Sequence, residues 1–199
     1  MSIKKLHDGI LTSLCDIQRE FHFEHLSKKE QYRDDLRPGY LIVLGFDPAK
    51  PLYNSTGKHI SNTANGTHHS LIGCNIDGRE LDILKGLAHE DGAILIGNKG
   101  TIQRIGSRLL NNIEPAEVIF SLKLEMKDSE WASLGFAHRV DTRHINALYA
   151  SYLMEGTVVY TLSAKTGIIR AYKDGRIIYS DQKLEVMHRE NPIMVSAIA

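Results

Sequence analysis

The chain has 199 residues, 42% of them hydrophobic and 24% charged, with 24 basic side chains against 24 acidic ones. That composition suits one globular domain with room for a sizeable core. The balanced charge argues against a protein built to grip long nucleic acid, which carries a basic excess. No apolar run approaches the roughly 20 residues a membrane helix needs. Cys15 and Cys74 have no partners at metal-ligand spacing and fit a reducing interior better than a disulfide framework. The N-terminus lacks the apolar core of a signal peptide, so the expected location is cytoplasmic.

Residues 3 to 36 read as helical. Leu6, Ile10, Leu14 and Ile17 form an apolar stripe with Leu11 beside it, and Ser27-Lys-Lys-Glu30 is a capping box for a second, charged helix. Arg37-Pro38-Gly39 breaks the pattern, which marks residues 1–37 as a helical extension that either covers the core or mediates assembly. Tyr40 to Phe46 is a continuous apolar run and hence a buried strand. Residues 47 to 75 show no strong periodicity. Ser55-Thr-Gly-Lys58 fails the phosphate-loop pattern, because Leu52 stands where its first glycine belongs and His59 replaces its Ser or Thr. His68-His69 reads as a surface pair rather than a metal site.

A helix is expected over roughly 79 to 90, then a polar trio His89-Glu90-Asp91, a turn at Gly92 and a buried strand from Ala93. Asn98-Lys-Gly100 turns the chain into a return strand over Thr101 to Ile105, and Val118 to Leu122 suggests another strand. Residues 123 to 137, with the single tryptophan Trp131, read as an inserted or mobile segment. A helix starts near Thr142, with Asp141 or Thr142 as its cap, and stops by Gly156. Arg143 and His144 fall in its first turn, where a cationic pair beside free amides is suited to a phosphate. Three strands follow, over 157–162, 168–172 and 176–179, joined by turns that include Lys173-Asp-Gly175. The fold class is therefore α/β: a mixed, largely antiparallel central sheet flanked by helices, with a short N-terminal helical extension.

Taken together, Gly39-Tyr-Leu-Ile-Val-Leu44, Asp91-Gly92-Ala93, Thr142-Arg143-His144, the turn with Ser163, Thr166 and Gly167, and the Lys173-Asp174-Gly175 hairpin occur in one order. In that order and context they resemble the diadenylate cyclase domain family, over roughly residues 38 to 182. The domain on this reading spans 38–185, and 186–199 is a tail. The resemblance implies condensation of two ATP molecules into cyclic di-AMP with release of pyrophosphate. It also implies a divalent metal, Mg²⁺ or Mn²⁺, and a homodimer or higher homo-oligomer that brings two sites face to face. No nucleic-acid or membrane partner is expected. Carried over by matched position, Asp91, Gly92, Arg143 and His144 are the expected catalytic residues and Asp91 the metal ligand. Gly92, Ala93, Thr142, Arg143, His144, Asn146, Ser163 and Thr166 are the expected ATP contacts.

The chain departs from the family pattern in several places: Asp141 stands where a glycine is expected, Asn146 where Thr or Ala is common, and a segment is added between the Asp-Gly-Ala strand and the Arg-His stretch. Two further departures bear on catalysis. Ile145 stands where a second arginine is expected, and Ala164 where an acidic residue is expected. Arg139 and either Glu90 or Asp141 are the nearby replacements. The alternative reading is a catalytically degenerate nucleotide-binding module on the same fold.

Overall fold

The computed structural model describes residues 2–27, 38–49, 61–62, 69–88, 92–110, 113–182 and 184–185. A sheet of seven strands organises them. In chain order these are β1 (Tyr40–Leu44), β2 (Ser61–Asn62), β3 (Ala93–Ile96), β4 (Ile102–Arg108), β5 (Val158–Leu162), β6 (Ile169–Lys173) and β7 (Arg176–Ser180). Their spatial order is β2-β4-β3-β1-β5-β6-β7. Only β1 and β3 run parallel; the other pairs are antiparallel. The helices are α1 (Ile3–Ser27), α2 (Glu80–Gly86), α3 (Pro115–Ser121), α4 (Glu130–Ser133) and α5 (Thr142–Leu153).

Both faces of the sheet are covered, which explains the unbroken apolar run of β1. Leu41 and Val43 face Ile145, Leu148 and Tyr149 of α5, with Val118 of α3 and Leu134 after α4 in the same core. Tyr40, Ile42 and Leu44 face Leu6, Ile10, Leu14 and Ile17 of α1, with Ile83 and Leu84 of α2. Helix α1 covers the sheet and completes the second layer of the core. The charged helix expected after Ser27, the Ser55–Lys58 stretch, His68, the polar trio 89–91 and the tail 186–199 lie outside the described residues, as does the side chain of His69.

Two expectations are corrected. The strand expected at Val118–Leu122 is helix α3, which Pro115 opens with a φ already set for a helix while Glu114 is extended before it. Its β-branched residues pack by helical spacing, so local strand preference loses to tertiary context. The segment 123–137 is packed rather than loose. Ser129 caps α4 by accepting from the Ala132 amide at 3.1 Å, and Trp131 lies against the core.

Candidate functional site

The strand register gathers distant stretches at one end of the sheet. Tyr40 lies opposite Leu162, Ala93 opposite Ser107, Leu162 opposite Ile169, and Arg170 opposite Ser180. Hence Gly39, Gly92, Ser163 and Asp181 all sit at that end. Helix α5 returns to it as well, since twelve helical residues and a five-residue strand cover similar lengths, each roughly 17 Å. The start of α5 therefore stands beside the end of β5.

A cleft of about 960 Å³ opens there. Its walls are the first residues of α3, α4 and α5 (Pro115, Glu130 and Thr142), the segment His138–Asp141, the turn residues Ser163, Lys165 and Thr166, and Arg170 and Gln182. Only α5 is long enough for a sizeable helix dipole. Its N-cap is Asp141, which accepts from the Arg143 amide at 3.1 Å. The cap thus already places a carboxylate at the helix start and offsets part of its pull on anions. Trp131 also lines the cleft, and the exposed Arg139 guanidinium lies 6.0 Å from its ring centre. In the facing turn, Ser163 Oγ accepts from the Thr166 amide at 3.2 Å and Thr166 Oγ1 from the Ile168 amide at 3.3 Å. Each hydroxyl keeps its own proton free to donate.

Behind the cleft lies a buried polar network. His144 is 2% exposed. Its Nδ1 is 3.0 Å from both Tyr172 Oη and Thr161 Oγ1, and Arg170 Nη1 donates to its Nε2 at 3.4 Å. Arginine has no acceptor, so Nε2 must present its lone pair and the ring proton belongs on Nδ1. Burial first, and the Arg170 charge second, depress the His144 pKa to about 4. The expectation of a cationic pair is revised: at neutral pH only Arg143 carries charge. Arg170 itself is paired with Glu185, through Nε at 2.7 Å and Nη2 at 2.6 Å. Burial is the largest single influence and works to lower the Arg170 pKa, but the Glu185 hydrogen bond together with the surrounding negative charge leaves the pKa raised.

The expected site residues divide into three groups. Thr142, His144, Ser163 and Thr166 line the cleft. Arg143 instead lies against the start of β1, where a side chain on Gly39 would collide with its Nη1 and touch Ala164. Gly92 and Ala93 are not among the cleft residues. Gly92 has a positive φ, and a Cβ there would come within 2.7 Å of the Gly106 backbone, so its glycine serves the close approach of β3 to β4. Ala93 is fully buried on the α5 side. Asn146 Nδ2 donates to the carbonyls of Leu109 at 3.1 Å and Leu110 at 3.2 Å, so this side chain holds the chain leaving β4. Ile145 belongs to the core. Asp91 lies outside the described residues.

Sequence reasoning missed Arg170, Tyr172, Thr161 and Glu185. One signal was present: Arg170 and Tyr172 share a face of a strand whose other face, Ile169 and Ala171, is apolar. An arginine between core positions needs a buried partner. Among the described residues no three His, Cys, Asp or Glu side chains form a metal-holding group. The carboxylates that line the cleft are Glu114, Glu130 and Asp141.

No family model matches this chain, and no curated protein does. Among solved structures, it is similar to a hypothetical membrane spanning protein from Bacillus cereus, with 15% identity and a TM-score of 0.46. That match covers 86% of this chain, which spans only 60% of the other. It is also similar to a double mutant of DacA from Staphylococcus aureus, with 18% identity, 89% of each chain covered and a TM-score of 0.45. Among the described residues, no helix is long and apolar enough to cross a membrane.

Proposed function

We propose that the cleft at the start of α5 binds a nucleoside triphosphate and that the protein belongs to the nucleotidyl-transferring class. Within that class, we propose a divergent diadenylate cyclase. One observation supports the reading above others: the start of β3 after Asp91, the first turn of α5, and the Ser163–Gly167 turn meet at one end of the sheet, beside a cleft of about 960 Å³. That volume is ample for one nucleotide, given that pockets for small ligands run from about 300 to 1,000 Å³. Ser163 and Thr166 offer hydroxyl donors to phosphate oxygens, and Thr142 adds a third. Lys165, Arg139 and His138 also line the cleft, the first two with cationic side chains. Arg143, at β1 between the cleft and β3, neutralises charge developing on the α-phosphate. Asp91 engages the attacking 3′-hydroxyl. A divalent Mg²⁺ or Mn²⁺ would arrive on the phosphates and need only one or two carboxylates; Asp91 is the residue we assign to it.

The test is incubation of the purified chain with ATP and Mn²⁺ or Mg²⁺, followed by chromatography of the nucleotides. Cyclic di-AMP is expected, and it should disappear in Asp91→Asn and fall about 100-fold or more in Arg143→Ala. ATP binding without product selects the second reading, a nucleotide-binding module without catalysis. Two observations favour that reading: Ile145 lies in the core and Ala164 supplies no carboxylate. Absence of nucleotide binding sinks both.

A further inference from the structure

The Arg170–Glu185 pair is built in a way that core packing does not require. Arg170 reaches the cleft from β6, and Phe136 lies beneath its guanidinium at 5.6 Å from the ring centre. The side chains of Arg170 and Glu185 are 5% and 1% exposed. Glu185 comes from the segment after β7, and Ser180 Oγ donates to its Oε2 at 2.6 Å. Asp181 is pinned separately, accepting from the Ile169 amide at 3.1 Å and from Gln18 Nε2 at 2.6 Å. Among the described residues beyond that anchor, Leu184 is 75% exposed and Glu185 is buried. Among the described residues, the Glu185 carboxylate supplies the side-chain hydrogen bonds that tie 184–185 to the sheet.

We propose that Arg170 is an anion-binding residue of the cleft and that Glu185 is a built-in competitor, displaced when a phosphate-bearing ligand takes its place on the guanidinium. The fork formed by Nε and Nη2 matches phosphate oxygens as well as it matches a carboxylate. A buried ion pair gains little net free energy over its desolvation cost, so exchanging one anion for another of higher charge is an accessible step. Removal of the carboxylate without replacement leaves an unpaired buried cation, which makes Arg170 seek an anion. The choice of a phosphate ligand rests on the nucleotide reading of the cleft; the competition itself does not.

Inorganic tripolyphosphate is the probe, with binding to the full chain measured by calorimetry and by its effect on the thermal midpoint. Glu185→Gln keeps the shape and accepts one hydrogen bond, and it should bind tripolyphosphate about tenfold or more tighter than the wild type. Ser180→Ala, which loosens the carboxylate without touching Arg170, should shift affinity in the same direction by less. If Glu185→Gln folds poorly alone, tripolyphosphate should restore its folding more than it stabilises the wild type. The double variant Arg170→Gln/Glu185→Gln should show no gain over Arg170→Gln. Unchanged affinity in Glu185→Gln, or a gain that survives without Arg170, overturns the proposal. Neither readout involves ATP turnover, so loss of the cyclase reading and loss of this one remain separate results.

Discussion

His144 shows how burial and charge act together on one residue. Its pKa is about 4 in the folded protein and about 6.5 in an unfolded chain. Between these values the unfolded chain binds a proton that the folded chain refuses. Stability is therefore fully present above about pH 6.5 and is lost as pH falls toward 4. A shift of that size corresponds to on the order of 3 kcal/mol. Burial lowers the His7 pKa too, so the acid-side slope has more than one source. The His144 share is isolated by thermal midpoints from pH 7 to pH 4 for wild type and His144→Gln. The wild type should lose more stability across the range, and parallel curves would refute the assignment. Gly39 sets a different trade. Its φ is ordinary, but a methyl there meets the far end of the Arg143 side chain. Gly39→Ala should cost less than about 1 kcal/mol of stability, as a flexible side chain can swing aside. On the proposed reaction the same change displaces Arg143, so product formation from ATP should drop at least tenfold. Equal losses in stability and rate would point to a merely structural glycine.

At the scale of elements, α1 is the clearest case for a mutational test. Leu14 is fully buried between α1 and the sheet. Leu14→Ala should destabilise the whole domain by about 2–5 kcal/mol, measured by denaturant unfolding. A detachable extension would show almost no change. The apolar stripe from Leu6 to Ile17 made this helix readable from sequence, but a stripe does not say what covers it. The β5–β6–β7 meander was equally plain, because short apolar runs were separated by turn residues such as Asp174-Gly175. Helix α3 was not, since Val118-Ile119-Phe120 carries strand preference and only Pro115 argues otherwise. Arg170 escaped for a related reason. An antiparallel strand is expected to have one wet face, so a charged residue among apolar ones reads as outward. In this sheet both faces are covered, and the charge is buried with a partner beyond the next strand, in a stretch without periodicity. Thr142, His144, Ser163 and Thr166, grouped by the order of motifs in the sequence, line one cleft. That order did not foresee that Arg143 would turn to β1.

At the scale of the molecule, the described residues of each chain form a cleft of nucleotide size at this end of the sheet. A cyclic dinucleotide made from two ATP molecules needs the 3′-hydroxyl of each aimed at the α-phosphate of the other. On the proposed reaction, two clefts must therefore face each other, and a two-fold pair of identical chains satisfies this with a single self-complementary contact. Two consequences can be measured. Specific activity should fall on dilution, once the protein concentration drops below that of half-dimerisation. Mixing is the sharper test. When wild type is combined in equal amounts with a folded, inactive Arg143→Ala variant and allowed to exchange, random pairing leaves about one quarter of the pairs with two competent clefts. Activity should then fall to about one quarter of that of the same total amount of wild type, whereas chains working alone would keep about one half. A mixture that keeps one half, with sedimentation showing only monomers in the presence of ATP, would rule out the face-to-face arrangement and with it the cyclase reading of the cleft.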